Sequence, residues 1–335
     1  MSHTAAIADS DVIFSCEPGQ SLLDAGLRAG IEMPYSCRKG VCGNCAGSVV
    51  QGEVIGLNSA AIVNETCAPG QVLYCMCTPA SDVVLKPASW HKIDPSARKT
   101  FAAKVYRNTL AAPDVSVLQI RLPAGQRAKF KAGQYLQLAM EDGSVRSYSM
   151  ANPPHESDAI TLHIRHVPGG RFTAVVPALK AGDALNIELP FGTFALADSD
   201  KPLAFVAGGT GFAPIKSILD DMAKRGIHRP ATLYWGARTA DGLYLPAAVE
   251  KWRKQLPGFR YIPALSDEAQ TPDGVFKGFV HDALLADTQS LAGHELYCCG
   301  SPPMVQAVRE AAVQARGLAP EDFHSDVFVS AAPAP

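Results

Sequence analysis

Four cysteines with a characteristic spacing constrain this chain more than any other feature. Cys37, Cys42 and Cys45 follow the pattern C-x4-C-x2-C, and Cys75 stands well downstream in the run VLYC. This is the ligand pattern of plant-type [2Fe–2S] clusters, in which four thiolates converge from one tight loop and one distant anchor. We therefore expect these four residues to be metal ligands.

Glycines and the remaining cysteines bear on the same site. Gly40 and Gly43 can bend the loop so that backbone N–H groups reach the sulfurs. Cys67 or Cys77 could replace Cys75 as the fourth ligand, but the apolar pair before Cys75 can hold it on a strand against the core. A zinc site more often has paired CxxC units or histidines, and a thioredoxin-like CxxC needs a βαβ setting.

Composition excludes several classes of protein. The 335 residues carry 30 basic and 32 acidic side chains, so no basic surplus points to nucleic acid or to a membrane surface. No apolar run approaches the roughly 18–20 residues needed to span a bilayer. The first twelve residues carry acids where a signal peptide would be basic. Clustered cysteines are typical of metal sites in a reducing compartment, so we expect a cytoplasmic protein.

The chain divides into blocks of different pattern. Residues 1–90 are rich in Cys and Gly and are acidic, and Ser21 can cap a short helix there. The polar, aperiodic residues 91–99 suggest a linker. Residues 100–197 read as short strands separated by turns, which predicts an antiparallel barrel. In residues 198–335 strands alternate with helices, which predicts a doubly wound parallel sheet.

One strand of the expected barrel carries the motif R-x-Y-S. Because alternate side chains of a strand share a face, Arg146 pairs with Tyr148 and Ser147 with Ser149. A guanidinium beside an aromatic ring suits a diphosphate and a flat ring, and a hydroxyl can reach the edge of that ring. Taken alone, the motif is equally compatible with an ordinary exposed strand.

A second group follows on the next strand and its turn. A helix is expected to start at Thr173, and a helix N-terminus with nearby glycines is an anion site, here for a pyrophosphate. The candidate cofactor-binding residues of this group are His163, Arg165, Gly169, Gly170, Phe172 and Thr173. A metal site on His163 and His166 would lack a third ligand.

The parallel-sheet block contains two glycine turns, each closing a strand at a helix start. The first turn departs from G-x-G-x-x-G, and the next strand ends at Arg238, where a ribose or its 2′-phosphate could lie. Purely structural turns are the alternative. The candidate cofactor-binding residues are Gly208, Gly209, Thr210, Gly211, Arg238, Cys299, Gly300, Ser301 and Pro302.

These three groups, in this order, resemble the ferredoxin-fused members of the ferredoxin–NADP reductase superfamily, such as reductase components of bacterial aromatic-ring oxygenases. The strings SCRKGVCGNCA, SYSMANPPHESD, RHVPGGRF, AGGTGFAPIKS and CCGSP carry the resemblance, which covers nearly the whole chain. It implies a multidomain α+β and α/β protein. Its parts would be a plant-type β-grasp ferredoxin domain, an antiparallel FAD-binding β-barrel and a doubly wound NAD(P)-binding domain. The implied cofactors are FAD, a [2Fe–2S] cluster and NADH or NADPH.

The resemblance also implies roles around the flavin. Arg146 would hold an FAD phosphate, Tyr148 would pack on the isoalloxazine, and Ser149 would hydrogen-bond near flavin N5. Phe328 would be the terminal aromatic residue near the flavin.

Other roles concern the nicotinamide. Cys299 would lie beside it. Asp326, two residues before Phe328, stands where many relatives carry Glu. The catalytic candidates are therefore Ser149, Cys299 and Asp326.

The function that follows is electron transfer from NAD(P)H through FAD and the cluster to the Rieske centre of a terminal oxygenase. Plant-type clusters lie near about −400 mV and Rieske centres between about −150 and +300 mV, which sets the direction. A di-iron monooxygenase or a cytochrome is an alternative acceptor. A non-enzymatic redox sensor is a further alternative, but no DNA-binding helix pair is visible to provide its output.

Overall fold

The structure is a computed structural model that describes residues 2–329. The chain divides into two compact units, Met1–Arg98 and Lys99–Pro335. The predicted linker, 91–99, contains a two-residue strand that pairs back onto the first unit.

The first unit is a β-grasp fold, as predicted. Its strands are β1 (His3–Ile7), β2 (Ile13–Cys16), β3 (Ile31–Glu32), β4 (Ala46–Gln51), β5 (Val54–Gly56), β6 (Gln71–Leu73), β7 (Cys77–Pro79), β8 (Val83–Pro87) and β9 (His91–Lys92). The main sheet has the order β2-β1-β8-β4-β6, in which β1 and β8 run parallel. Helix α1 (Leu22–Arg28) begins after Ser21, whose hydroxyl accepts a hydrogen bond from the Asp24 N–H at 3.0 Å.

The second unit begins with the predicted antiparallel barrel. Its strands are β10 (Lys99–Ala112), β11 (Val115–Arg121), β12 (Tyr135–Ala139), β13 (Val145–Ser149), β14 (Ala159–Arg165) and β15 (Ala184–Phe191). They follow the order β13-β12-β15-β10-β11-β14, and a bridge between Met150 and Leu162 joins the two ends. Buried and exposed residues alternate along β15, which places its apolar side chains in the barrel core.

A six-stranded parallel sheet follows, also as predicted. Its strands are β16 (Leu203–Gly208), β17 (Ala231–Ala237), β18 (Arg260–Leu265), β19 (Phe276–Lys277), β20 (Glu295–Gly300) and β21 (Phe323–Val327), in the order β19-β18-β17-β16-β20-β21. β16 is almost continuously buried, as strands covered on both faces are. The chain order reverses between β16 and β20, and ligands bind at such switch points.

Five α-helices accompany the strands of the described part of this unit. They are α2 (Arg171–Val175), α3 (Phe212–Arg225), α4 (Pro246–Gln255), α5 (Val280–Asp287) and α6 (Pro302–Arg309). Helix α3 ends at Gly226, which adopts the left-handed conformation that suits this position. No helix within residues 2–329 is long and apolar enough to cross a membrane.

Candidate functional site

The four predicted cluster ligands form two pairs of thiols. Cys42 donates a hydrogen bond to the sulfur of Cys37, and Cys45 donates one to Cys75. Cys45 and Cys75 are buried, whereas the first pair is half-buried. In the described part of the chain no group of three or more His, Cys, Asp or Glu residues is placed to hold a metal ion. A [2Fe–2S] cluster has two iron atoms and binds two thiolates on each of them. Two pairs of cysteines therefore match its ligand requirement.

Hydrogen bonds favour the thiolate forms of Cys37 and Cys75, whereas the pKa values of the donating thiols, Cys42 and Cys45, are raised. The bond from Cys42, assisted by backbone N–H groups, lowers the pKa of Cys37 to about 5 although burial opposes it. The backbone donors to Cys37 are Lys39, Val41 and Cys42. The bond from Cys45, with the Gly40 N–H, likewise lowers the pKa of Cys75 against the effect of burial. Thiolates are the form that binds iron.

The loop that carries these thiols is held by residues that the sequence analysis did not single out. Asn64 Nδ2 donates to the carbonyl oxygens of Gly40 and Val41 at 2.8 and 3.2 Å. Gly43 has φ +74°, and a Cβ there would lie 2.0 Å from Thr66 Oγ1, so only glycine fits. Such side-chain-to-backbone contacts have no local sequence signature.

The two alternative fourth ligands lie in other surroundings. Cys67 contacts Asn64 Oδ1 through its thiol at 3.7 Å. Cys77 is fully buried on β7, and burial raises its pKa to about 12. The environment of Cys77 therefore disfavours a thiolate, in contrast to that of Cys75.

The R-x-Y-S strand, β13, lies beside α2. The rings of Tyr148 and Phe172 are 5.5 Å apart, which brings the strand and the glycine turn together. The Arg146 guanidinium donates to Ser144 Oγ and to the Val145 carbonyl, two neutral partners, and forms no ion pair within residues 2–329. Ser147 is exposed, whereas Ser149 is buried.

The predicted start of α2 at Thr173 was wrong by two residues. The helix begins at Arg171 with Gly170 as its N-cap. The Thr173 hydroxyl instead donates to the Val167 carbonyl at 3.1 Å and closes the preceding turn. Gly169 lies in this turn, and a Cβ added to it would have no heavy atom within 4 Å. Because α2 has only five residues, its dipole alone is a weak anion site, and Arg146 on the neighbouring strand adds a positive charge.

The two predicted residues of β14 face different surroundings. His163 is buried, its Nδ1 lies 3.0 Å from Tyr244 Oη, and burial lowers its pKa to about 3. Its side chain therefore packs inside the unit, not beside Tyr148. Arg165 forms an ion pair with Asp114 and lies against Gly209 of the first glycine turn.

The first glycine turn joins β16 to α3. Thr210 and Gly211 are buried, and a Cβ on Gly211 would lie 2.1 Å from the Cys299 carbonyl oxygen. The close approach of these two backbones brings the ends of β16 and β20 together. Trp235 Nε1 donates to the Gly209 carbonyl at 3.1 Å.

The second glycine turn joins β20 to α6. Ser301 occupies the N-cap position of this helix without a side-chain capping hydrogen bond, and Pro302 is the first helical residue. Met304, which the sequence analysis did not select, packs against both Gly208 and Gly300. Its position in the first turn of the helix that follows the glycine turn is the signal that could have identified it.

The three catalytic candidates come together between barrel and sheet. Ser149 Oγ donates to Asp326 Oδ2 at 3.3 Å, and both residues are buried. Asp326 on β21 is the register partner of Cys299 on β20. Burial, with the neighbouring Asp326, raises the pKa of Cys299 well above its usual range, so the thiol is protonated. The Phe328 N–H donates to the Gly300 carbonyl at 2.8 Å, and its ring packs on the sheet core.

Arg238 lies just beyond β17, at the same edge as the first glycine turn. Its Nε donates to Asp267 Oδ2 at 3.0 Å, and its side chain is 85% exposed. The pair places opposite charges where an adenosine ribose would lie in a doubly wound sheet.

Comparison with known domain families assigns all three parts of the chain. The matches are a 2Fe-2S iron-sulfur cluster binding domain (residues 5–80), an oxidoreductase FAD-binding domain (102–196) and an oxidoreductase NAD-binding domain (205–310). The cofactors predicted from the sequence are thereby confirmed.

Full-length relatives agree with this assignment. The chain is 59% identical to "Terephthalate 1,2-dioxygenase, reductase component 2" of Comamonas sp. over 98% of each chain. It is 36% identical to the reductase component of phenol 2-monooxygenase of Pseudomonas sp., covering 99% of this chain and 96% of that one. The solved cytochrome P450 reductase of Amycolatopsis has a TM-score of 0.80 at 32% identity, covering 98% of this chain and 100% of that one. The chain therefore belongs to the family of ferredoxin-fused flavoprotein reductases, which transfer electrons from NAD(P)H through FAD to a [2Fe–2S] cluster.

Proposed function

We propose that this chain is the reductase component of terephthalate 1,2-dioxygenase and that its acceptor is the Rieske centre of the terminal oxygenase. The 59% identity to the Comamonas reductase component over 98% of both chains carries this proposal. The clustering of cysteines, typical of a metal site in a reducing compartment, supports a cytoplasmic location.

The residues around β13 fit FAD. Arg146 offers its positive charge to a diphosphate oxygen, and the Tyr148 ring, with Phe172 beside it, offers a flat apolar face. The four paired thiols fit a [2Fe–2S] cluster in the same way. Bound FAD would supply the conversion of a two-electron hydride into single electrons, and the cluster would supply one-electron transfer to the acceptor.

The chain's own residues position the reactants and control protons. Ser149 Oγ holds its proton toward Asp326, which leaves an oxygen lone pair free to accept a hydrogen bond. The protonated Cys299 thiol occupies buried space at the end of β20 and excludes water there. The Gly211 backbone packs against the Cys299 carbonyl and so keeps the ends of β16 and β20 close together. Both glycine turns can then contact one nucleotide.

Removing the Ser149 hydroxyl should slow reduction of the flavin. We expect Ser149→Ala to lower the rate of flavin reduction by NAD(P)H by on the order of 10²-fold, because one positioned polar group at a reacting centre has about that effect. Rapid-mixing absorbance under anaerobic conditions measures the rate.

A matched control is Ser217→Ala. Ser217 is also buried and also bridges barrel and sheet, since its hydroxyl donates to the Asn152 carbonyl at 2.7 Å. This variant should lose stability but keep the rate. Equal rates in Ser149→Ala and the unaltered protein would remove Ser149 from the mechanism.

The negative net charge of residues 1–90 supports a protein as the electron acceptor of the first unit. Residues 1–90 carry four basic and eight acidic side chains. An acidic surface orients an encounter with a basic patch on the acceptor, and salt weakens such steering. Turnover with the correct oxygenase should therefore fall as ionic strength rises.

Reconstitution tests the choice of acceptor. The holoprotein is mixed in turn with terephthalate dioxygenase, a di-iron phenol hydroxylase and a cytochrome P450, and product is measured with NADH and with NADPH. We expect efficient product formation only with the dioxygenase. The 36% and 32% identities to reductases of the other two systems make those the second candidates. Preferential coupling to either would overturn the terephthalate assignment.

A further inference from the structure

Trp235 is bonded to the backbone of the first glycine turn. Its Nε1 donates to the Gly209 carbonyl at 3.1 Å, although its register partner on β16 is Ala207. The indole thus reaches past the end of the neighbouring strand into the turn. Gly209 has φ +52°, so the carbonyl that receives this bond belongs to a left-handed residue. The bond is one side-chain constraint on this backbone conformation.

The indole is itself held in place by aromatic packing. Trp235 is fully buried, and its ring is stacked on Phe212 with centroids 3.7 Å apart and planes 4° apart. The Tyr244 ring packs edge-on against Trp235 at 5.3 Å, and its hydroxyl meets His163 of the barrel strand β14. A side chain fixed on two faces can orient the group to which it donates.

We infer that Trp235 is a positioning residue for NAD(P)H, which acts by holding the Gly208–Gly211 turn in its binding conformation before the nucleotide arrives. This inference rests on the proposed nucleotide site at that turn. Without the indole N–H, the Gly209 carbonyl loses its donor and the turn samples other conformations. Apparent affinity then falls in proportion to the population of the competent conformation. If a residue only holds the free protein in its binding conformation, its replacement changes the KM for the nucleotide and leaves kcat nearly unaltered.

Trp252 provides a matched control in the same core. It is fully buried, its ring lies 5.7 Å from Phe212, and its Nε1 donates to Asp220 Oδ1 at 2.9 Å. Each tryptophan therefore makes one indole hydrogen bond and contacts Phe212. The acceptors differ, since one is the turn backbone and the other is a helix side chain, and Trp235 stacks on Phe212 whereas Trp252 is tilted against it.

The experiment replaces each tryptophan by phenylalanine in the holoprotein. Dissociation constants of NAD⁺ and NADP⁺ are measured by equilibrium titration, and KM and kcat with NADH and NADPH using ferricyanide. We expect Trp235→Phe to raise the dissociation constant and KM together by about 3- to 10-fold, the equivalent of one hydrogen bond, with kcat within about twofold. Trp252→Phe should change neither constant by more than about twofold.

A second replacement removes the donor without changing shape. Incorporating 3-benzothienylalanine at 235 substitutes sulfur for the indole N–H and should raise the dissociation constant as Trp235→Phe does. An unchanged constant in this variant, or equal increases in Trp235→Phe and Trp252→Phe, would show that packing alone matters and would overturn the inference. Absence of nucleotide binding by the unaltered protein would instead contradict the proposed site.

Discussion

Replacing Cys75 with alanine should remove the cluster and stop electron delivery to protein acceptors. Cys75 is paired with Cys45, and its lowered pKa favours the thiolate that an iron atom needs. With one of four ligands lost, we expect iron to fall from about two atoms per chain to nearly none. NAD(P)H-driven reduction of cytochrome c should fall to background. Ferricyanide reduction should persist, because this small acceptor can take electrons from the flavin.

Cys67→Ala is the matched control for this prediction. Its thiol is half-buried near the same loop and contacts Asn64, whereas Cys75 is buried and paired with Cys45. Iron, acid-labile sulfide and the visible spectrum should be unchanged. If Cys67→Ala loses iron while Cys75→Ala keeps it, the fourth ligand has been assigned to the wrong residue.

Glu295→Gln should strongly destabilise the second unit. Glu295 and Arg229 form a buried ion pair with Nη2–Oε2 of 2.9 Å, and their side chains are 4% and 6% exposed. Glutamine preserves the shape but leaves the guanidinium buried without a counter-charge. Breaking such a pair costs about 3–5 kcal/mol. Urea unfolding of the holoprotein, followed by circular dichroism and flavin release, measures the change.

The surface pair on α4 provides the comparison. Arg253 and Glu250 lie 3.3 Å apart with side chains 50% and 59% exposed, so Glu250→Gln should cost less than about 0.5 kcal/mol. Similar losses in Glu295→Gln and Glu250→Gln would contradict the importance of the buried pair.

The buried pair also predicts how stability changes with pH. Burial raises the pKa of Glu295, but hydrogen bonds from Ser199 and Arg229 outweigh it and hold this pKa below its usual value. The stabilisation is therefore complete above the unfolded-state pKa and is lost as pH falls through the folded-state pKa. Glu295→Gln should remove this part of the acid sensitivity.

Much of the site could be predicted because its parts are contiguous. The C-x4-C-x2-C loop, the R-x-Y-S strand and the glycine turn after β16 are each short segments in which spacing and residue type imply the chemistry. Strand alternation in the barrel and the buried run of β16 likewise follow local periodicity. The start of α2 was missed because the Thr173 hydroxyl bonds backward to Val167, which a capping pattern does not reveal.

The sequence by itself thus determined the fold class, the three cofactors and the order of the domains, because these depend on local motifs and their order. Tertiary structure alone decided which distant groups meet. Ser149 and Asp326 are 177 positions apart, yet their side chains are 3.3 Å apart. Trp235 reaches Gly209, and Arg229 meets Glu295 across the sheet. Such contacts depend on strand order and register, which only the packing of the whole unit establishes, so no local pattern encodes them.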